Sequence, residues 1–308
     1  MTERVDLRTG APIPPEDDQP RVMSRGMRTL LIIAGGLVFL AGLQLFVFPE
    51  RTEEFFAWTI DVPLTAAFLG AGYWASVAFE WLAARERLWA NARIAVPSVF
   101  VFTSLTLVAT VLHLDLFHLD SSLDLMTRAV TWAWIAIYAS VPVFMIVLFV
   151  GQMGMPGDDP ARSRVLPRTI ALVLIIHAIL LPAVGAYLFV APVRAASLWP
   201  WALTPLTGRA VGAWVLSLGV AAAHALWEND LRRVRVAAAG YSAIGVLQGA
   251  ALARFPDAIA WGEFQTIVYL GVLASMVAVG VCALWLGRRR SHRHPTDSVE
   301  VRLTPPQG

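Results

Sequence analysis

Side chains that can ligate a metal are concentrated in one stretch, LHLDLFHLDSSLD. Imidazole nitrogens and carboxylate oxygens are ligands that ions such as Zn²⁺ accept. The four candidates are His113, Asp115, His118 and Asp120. Their spacing matches no established metal motif, and the corresponding stretch later in the chain, around residues 255–263, contains no histidine. A metal site here is therefore a hypothesis, and an acidic, hydrated loop is the alternative that we favour.

Two further histidines lie in apolar stretches, and each is a candidate functional residue. His177 follows two isoleucines, and His224 precedes the next arginine-rich loop. An ionisable side chain inside a membrane is costly to bury and needs a partner. The two imidazoles could together ligate a haem, but no spacing requires it, and a neutral imidazole that bonds a neighbouring helix is the favoured alternative. We predict no bound cofactor.

Three more polar side chains interrupt apolar runs. They are Gln44, Gln248 and Glu80. Buried amides commonly join membrane helices, and a buried carboxyl group pairs with a base or lines a polar seam. With His177 and His224, these residues form the predicted set for ligand binding or for a polar seam.

Motifs for common enzyme chemistry are missing. The sequence has no His-Glu-x-x-His, no Gly-x-Ser-x-Gly and no glycine-rich phosphate loop. All 24 basic residues are arginines, which excludes Schiff-base chemistry and a P-loop lysine. The single cysteine, Cys282, excludes an internal disulfide and a zinc cage built from thiolates. We predict no catalytic residue, and an enzyme is not the favoured interpretation.

The elements that position these residues are apolar. Of the 308 residues, 57% are hydrophobic and 15% charged, with a mean hydropathy of +0.63. Soluble domains carry about 45–50% apolar and about 25% charged residues, so most of this chain is expected in lipid. The fold class is predicted as an all-α polytopic membrane helix bundle. Eight runs approach the length of about 20 residues that a membrane helix needs. They span residues 29–48, 62–82, 94–114, 129–150, 170–190, 210–226, 236–253 and 264–286.

The arginines predict the orientation of the bundle. With eight crossings, 19 of the 24 arginines fall on the side that holds both termini. The positive-inside rule then places both termini in the cytoplasm, for a multi-pass protein of the inner (plasma) membrane. The expected partners of these arginines are anionic lipid headgroups, and nucleic acid is not an expected partner.

The chain also contains a repeat. LFVFPER at residues 45–51 aligns with LFVAPVR at residues 188–194. Further pairs continue the alignment with small shifts of register: Trp58 with Trp201, Pro63 with Pro205, Gly70 with Gly212, Glu86 with Glu228, Arg93 with Arg235, Tyr138 with Tyr269 and Met145 with Met276. Because each half has four helices, an even number, we predict a parallel 4+4 repeat.

Four regions follow from this division. Residues 1–24 and 291–308 are predicted to be disordered cytoplasmic tails, because they are polar and rich in charge and proline. Residues 25–155 form the first four-helix repeat, and residues 165–290 form the second.

Two arginines and two tryptophans that the repeat matches are predicted to lie at the outer membrane interface. Arg51 and Arg194 each come just after a Pro-x pair at the end of an apolar run, and Trp58 and Trp201 follow. Arginine and tryptophan both anchor helices at membrane interfaces. A paired site for an anionic headgroup or substrate is the functional hypothesis, and helix termination with interfacial anchoring is the favoured alternative.

Residues 56–74, FAWTIDVPLTAAFLGAGYW, resemble stretches of bacterial multi-pass membrane proteins that have no assigned activity. The resemblance supports the predicted membrane fold. It implies no substrate and no catalytic residue. The remaining hypotheses are a permease-like protein with its pathway at the seam between the halves, and a non-catalytic membrane subunit or scaffold that binds lipid or a partner protein.

Overall fold

A computed structural model describes residues 19–289, and this part of the chain is all-helical, with isolated β-bridges and no strand. Its eleven α-helices are α1 (Arg25–Gly42), α2 (Thr52–Phe55), α3 (Pro63–Arg85), α4 (Trp89–Ala92), α5 (Ala95–Leu112), α6 (Leu125–Met153), α7 (Arg168–Val190), α8 (Pro192–Ala195), α9 (Pro205–Glu228), α10 (Arg235–Arg254) and α11 (Phe264–Arg289). A π-helical stretch, Leu43–Val47, extends α1.

Seven of the long helices are long and apolar enough to cross a membrane: α1 with its π-helical extension, α5, α6, α7, α9, α10 and α11. Their outward faces carry exposed apolar side chains such as Val147 and Ile179. The eighth predicted span, α3, is 23 residues long but is not among the seven. Glu80 and several small residues lower its hydropathy, and most of its residues are buried against other helices.

The long helices pack in matching pairs. In the first part of the chain α1 packs on α3 and α5 packs on α6, and in the second part α7 packs on α9 and α10 packs on α11. Two further pairs join the parts, because α3 packs on α10 and α9 packs on α5. The second long helix of each part therefore lies at the centre of the bundle.

Glycines permit the closest of these contacts. A Cβ atom built on Gly70 of α3 would lie 2.4 Å from the backbone nitrogen of Phe46. A Cβ atom built on Gly212 of α9 would lie 2.9 Å from the backbone nitrogen of Phe189. Only a residue without a side chain allows the backbones to approach this closely.

Polar contacts join helix ends at each of the two ends of the bundle. At one end, which we call the Arg93 end, Arg93 pairs with Glu228 at the end of α9. At the opposite end, which we call the Trp201 end, the Trp201 indole donates a hydrogen bond of 2.9 Å to the Thr65 hydroxyl near the start of α3.

Residues 19–24 pack at the Arg93 end, although we predicted a disordered tail over residues 1–24. The backbone N–H of Arg21 donates to the Asp158 carbonyl, and that of Met23 donates to the Arg87 carbonyl, both at 2.9 Å. The side chain of Gln152 accepts from the backbone N–H of Ser24 at 2.7 Å. Backbone groups that find such partners hold the segment in place. The rest of that tail and the tail at 291–308 lie outside the described residues.

Candidate functional sites

Glu80 lies in the interior of the bundle, beside a cavity of about 70 Å³. The carboxyl group is 2% exposed, and its Oε2 atom has no hydrogen-bond partner among the described residues. We call this the Glu80 cavity. It lies between α1, α3, α5, α6 and α9, and its other polar lining residues include Ser76, Ser98, Thr103 and Ser217.

Three of the hydroxyl groups around this cavity donate to carbonyl groups of their own helices. Ser98 donates to the Ala95 carbonyl at 3.3 Å, and Thr103 donates to the Val99 carbonyl at 2.9 Å. Ser217 donates to the carbonyl of its own helix one turn earlier, at 2.8 Å. With their protons used in this way, these oxygens can only accept hydrogen bonds from the cavity.

A larger cavity of about 300 Å³ lies in the second part of the chain. We call it the Gln248 cavity. Its walls are apolar side chains of α7, α9, α10 and α11, with Phe68 of α3 at its base. Volumes of about 300–1,000 Å³ are usual for small-molecule sites. Its exposed lining residues are Leu198, which precedes α9, and Phe264 and Val268 in the first two turns of α11, so the exposed rim of the cavity is apolar.

Few polar groups reach the Gln248 cavity. The Gln248 amide donates to the Phe68 carbonyl at 2.9 Å and accepts from the Tyr269 hydroxyl at 3.3 Å, so it joins α3, α10 and α11. The indole N–H of Trp199, which also lines the cavity, is buried and has no partner among the described residues. An unpaired buried donor is costly unless an acceptor comes to it.

Aromatic rings fill the seam between the two parts of the chain. Trp214 of α9 packs on Phe102 of α5, with ring centroids 4.0 Å apart, and on Tyr73 of α3 at 5.3 Å. Trp201 packs on Phe68 at 5.8 Å. The two cavities therefore lie on either side of these rings.

The Arg93 end contains a buried ion-pair cluster around Glu228, whose side chain is 0% exposed. It pairs with Arg93 and, at 2.9 Å, with Arg233, and His224 Nε2 lies 3.4 Å from its Oε1 atom. Arg93 also pairs with Asp159. The sequence aligned Glu86 with Glu228 and Arg93 with Arg235, and in the structure each of these glutamates pairs with the arginine from the other part of the chain.

The repeat-matched ion pair is exposed and longer. Glu86 and Arg235 are 4.0 Å apart, and the Arg235 side chain is 62% exposed. The two matched pairs therefore differ in burial and distance.

Arg93 and Asp230, which both lie outside the apolar spans at this end, have shifted pKa values. Burial alone would lower the pKa of Arg93, but hydrogen bonds and attraction from Glu228 and Asp159 raise it overall. Burial alone would raise the pKa of Asp230, but backbone N–H groups, among them those of Arg164 and Ser163, lower it overall. Both groups are therefore held in their charged forms.

The two candidate haem ligands have separate partners. His177 Nε2 is hydrogen-bonded to Ser275 of α11 at 2.9 Å, and its ring packs on Tyr241 at 5.8 Å. His224 lies beside Glu228 at the Arg93 end. The hydrogen bond of His177 therefore joins α7 to α11.

The four predicted metal ligands do not converge. No group of three His, Cys, Asp or Glu side chains suited to a metal occurs in the described part of the chain. His113 Nε2 accepts a hydrogen bond of 2.7 Å from Arg209, and His118 bonds Thr59 and the Phe56 carbonyl, each at 3.0 Å. Burial and the Arg209 charge lower the pKa of His113, and its neutral ring serves as the acceptor.

Asp115 and Asp120, the other two predicted ligands, are exposed. The Asp120 carboxylate accepts from the backbone N–H of Ser122 at 2.8 Å, as in a tight turn. This hydrogen bond is the main cause of the lowered pKa of Asp120.

The repeat-matched residues of the outer interface divide into two kinds. Arg51 is exposed and pairs with Glu54, and Arg194 is also exposed. Trp58 and Trp201 are 3% and 5% exposed, so both lie inside aromatic clusters.

Gln44 lies half-buried in the π-helical stretch and lines neither cavity. Sequence reasoning missed Trp199, Trp214 and Ser217 as lining residues. The apolar walls of the Gln248 cavity carried no signal, because their leucines and valines resemble those that face lipid.

The seven apolar helices and the exposed apolar perimeter define the class: the chain is an integral membrane protein with a helical bundle. Comparison with protein-family models, curated proteins and solved structures finds no match.

Proposed function

We propose that the protein crosses the inner (plasma) membrane eight times as a parallel 4+4 repeat, with both termini in the cytoplasm. In this arrangement α3 is the eighth span, shielded from lipid by its neighbours. The matching helix pairs, the equivalent contacts of Gly70 and Gly212, and the exchanged ion pairs at one end support the repeat. The arginines concentrated at that end support its cytoplasmic location.

Within that arrangement, the protein is a non-catalytic membrane protein that binds a lipid-like molecule in the Gln248 cavity. The observation that carries this proposal is an apolar cavity of about 300 Å³ whose exposed rim residues, Leu198, Phe264 and Val268, are all apolar. An acyl chain can enter from the bilayer without crossing water. The unpaired Trp199 N–H offers a hydrogen bond to an acceptor such as an ester carbonyl.

The permease-like hypothesis gains less support from the geometry. A pathway at the seam would need space where Tyr73, Phe102 and Trp214 pack together. Binding of lipid, which the sequence left as the alternative, accounts for the larger cavity.

Filling the cavity tests this function. Leu180 lines the cavity from α7, whereas its neighbour Ile179 faces outward and is 67% exposed. In Leu180→Trp the indole occupies the space of the ligand, so we expect the lipid retained per chain to fall about tenfold, which corresponds to about 1.4 kcal/mol of affinity. The measurement is mass spectrometry of lipid that copurifies with the full-length protein in mild detergent.

Ile179→Trp is the matched control, since it adds the same ring on the perimeter. It is expected to retain lipid as the wild type does. If Leu180→Trp retains as much lipid as Ile179→Trp, the cavity does not bind lipid.

A further inference from the structure

We propose that the Glu80 cavity is a second binding site, for a hydrated monovalent metal cation of the size of Na⁺. The site is separate from the Gln248 cavity and does not depend on lipid binding there. Its central group is the Glu80 carboxyl, which is 2% exposed and has an unpartnered oxygen beside the cavity.

Charge is the first reason for this assignment. None of the described residues that line the cavity is basic, so no side chain in it can neutralise an ionised Glu80. A buried carboxyl group stays ionised only beside a positive partner, because the removal of its charge from water costs several kcal/mol. A cation in the cavity supplies that partner.

The donor set is the second reason. Ser98, Thr103 and Ser217 each give their hydroxyl proton to a backbone carbonyl, which leaves oxygen lone pairs available. Oxygen atoms are the ligands that hard cations prefer. The indole N–H of Trp214, also buried and unpartnered, can donate to a water of the hydrated ion.

The size of the cavity limits the ligand. About 70 Å³ holds several water molecules and is much smaller than the cavities of organic ligands. A small cation with a few waters fits this space.

The repeat provides an internal comparison, which rests on the 4+4 arrangement proposed above. In the register that aligns Gly70 with Gly212, Ser76 corresponds to Leu218 and Glu80 corresponds to Ala222. The same register matches Ser98 with Gly240, Thr103 with Gly245 and Ser217 with Ala75. The residue at every matched position is apolar or a glycine, so packing within this kind of repeat does not by itself require the polar groups.

Binding of radioactive ²²Na⁺ to the full-length protein in lipid nanodiscs tests the site. We expect saturable binding that excess unlabelled Na⁺ displaces and that choline, at the same ionic strength, does not. Glu80→Gln keeps the shape of the side chain and is expected to abolish binding. Glu80→Ala copies the residue at the matched position, so it should fold and also lose binding.

Two further variants complete the design. Ser98→Ala removes one proposed oxygen ligand and is expected to weaken binding about tenfold, a typical loss when one polar contact of about 1.4 kcal/mol is removed. Glu53→Gln alters an exposed carboxylate of α2 and is expected to bind as the wild type does. The proposal is overturned if the wild type shows no saturable binding from neutral to alkaline pH. Equal binding by the wild type and both Glu80 variants also overturns it.

Discussion

Replacing Glu228 by alanine is expected to lower the free energy of unfolding by about 3–5 kcal/mol. The side chain is fully buried and pairs with Arg93 and Arg233, which come from the two different halves of the chain. Its removal leaves both guanidinium groups without their shared carboxylate. The measurement is unfolding of the purified protein in detergent micelles, followed by tryptophan fluorescence.

Glu86→Ala is the matched control for this prediction. Glu86 occupies the equivalent position in the first half, but its partner Arg235 is mostly exposed and 4.0 Å away. Exposed pairs contribute about 0–1 kcal/mol, so we expect a small change. Equal losses in Glu228→Ala and Glu86→Ala would show that the Glu228 cluster does not hold the halves together.

Adding a methyl group at either matched glycine is expected to destabilise the bundle by about 1–3 kcal/mol. In Gly70→Ala the new Cβ atom meets the backbone of Phe46, and in Gly212→Ala it meets the backbone of Phe189. Backbone atoms cannot rotate away as a flexible side chain can, so the packed helices must separate. Thermal unfolding in micelles measures both effects.

Gly36→Ala serves as the comparison because a Cβ atom there has no neighbour within 4 Å. Alanine has a higher helix propensity than glycine by up to about 1 kcal/mol, so this variant is expected to be neutral or slightly stabilised. A destabilised Gly36→Ala beside unaffected Gly70 and Gly212 variants would contradict the close helix contacts.

The sequence predicted the helices well because apolar runs of this length have few other stable structures. It also aligned Gly70 with Gly212, and both glycines make close backbone contacts with the preceding long helix. The sequence predicted α3 as a membrane span, but α3 is not among the seven helices that are apolar enough to cross a membrane. Its burial depends on helices that lie far away in sequence.

The ion-pair partners and the cavities could not be predicted from a single sequence. The alignment of Glu86 with Glu228 and of Arg93 with Arg235 did not reveal that each glutamate pairs with the arginine from the other part of the chain. Trp58 was expected at the interface, but it is buried against Trp134 of α6. Trp58 is buried by tertiary packing, which the local pattern of tryptophans in the sequence does not encode.

Cysteine labelling tests the parallel arrangement most directly. In a Cys282→Ser background, single cysteines replace Arg87 and Arg232 in the matched turns at the Arg93 end, or Asp61 and Ala202 at the Trp201 end. All four positions are exposed. A thiol reagent that cannot cross membranes is applied to sealed cells and, separately, to permeabilised cells.

We expect Asp61→Cys and Ala202→Cys to react in sealed cells, and Arg87→Cys and Arg232→Cys to react only after permeabilisation. This result places equivalent loops of both halves on the same face, with the arginine-rich face inside. Labelling of Asp61→Cys and Arg232→Cys from outside, with the other two positions protected, would contradict it, because the halves would then be inverted.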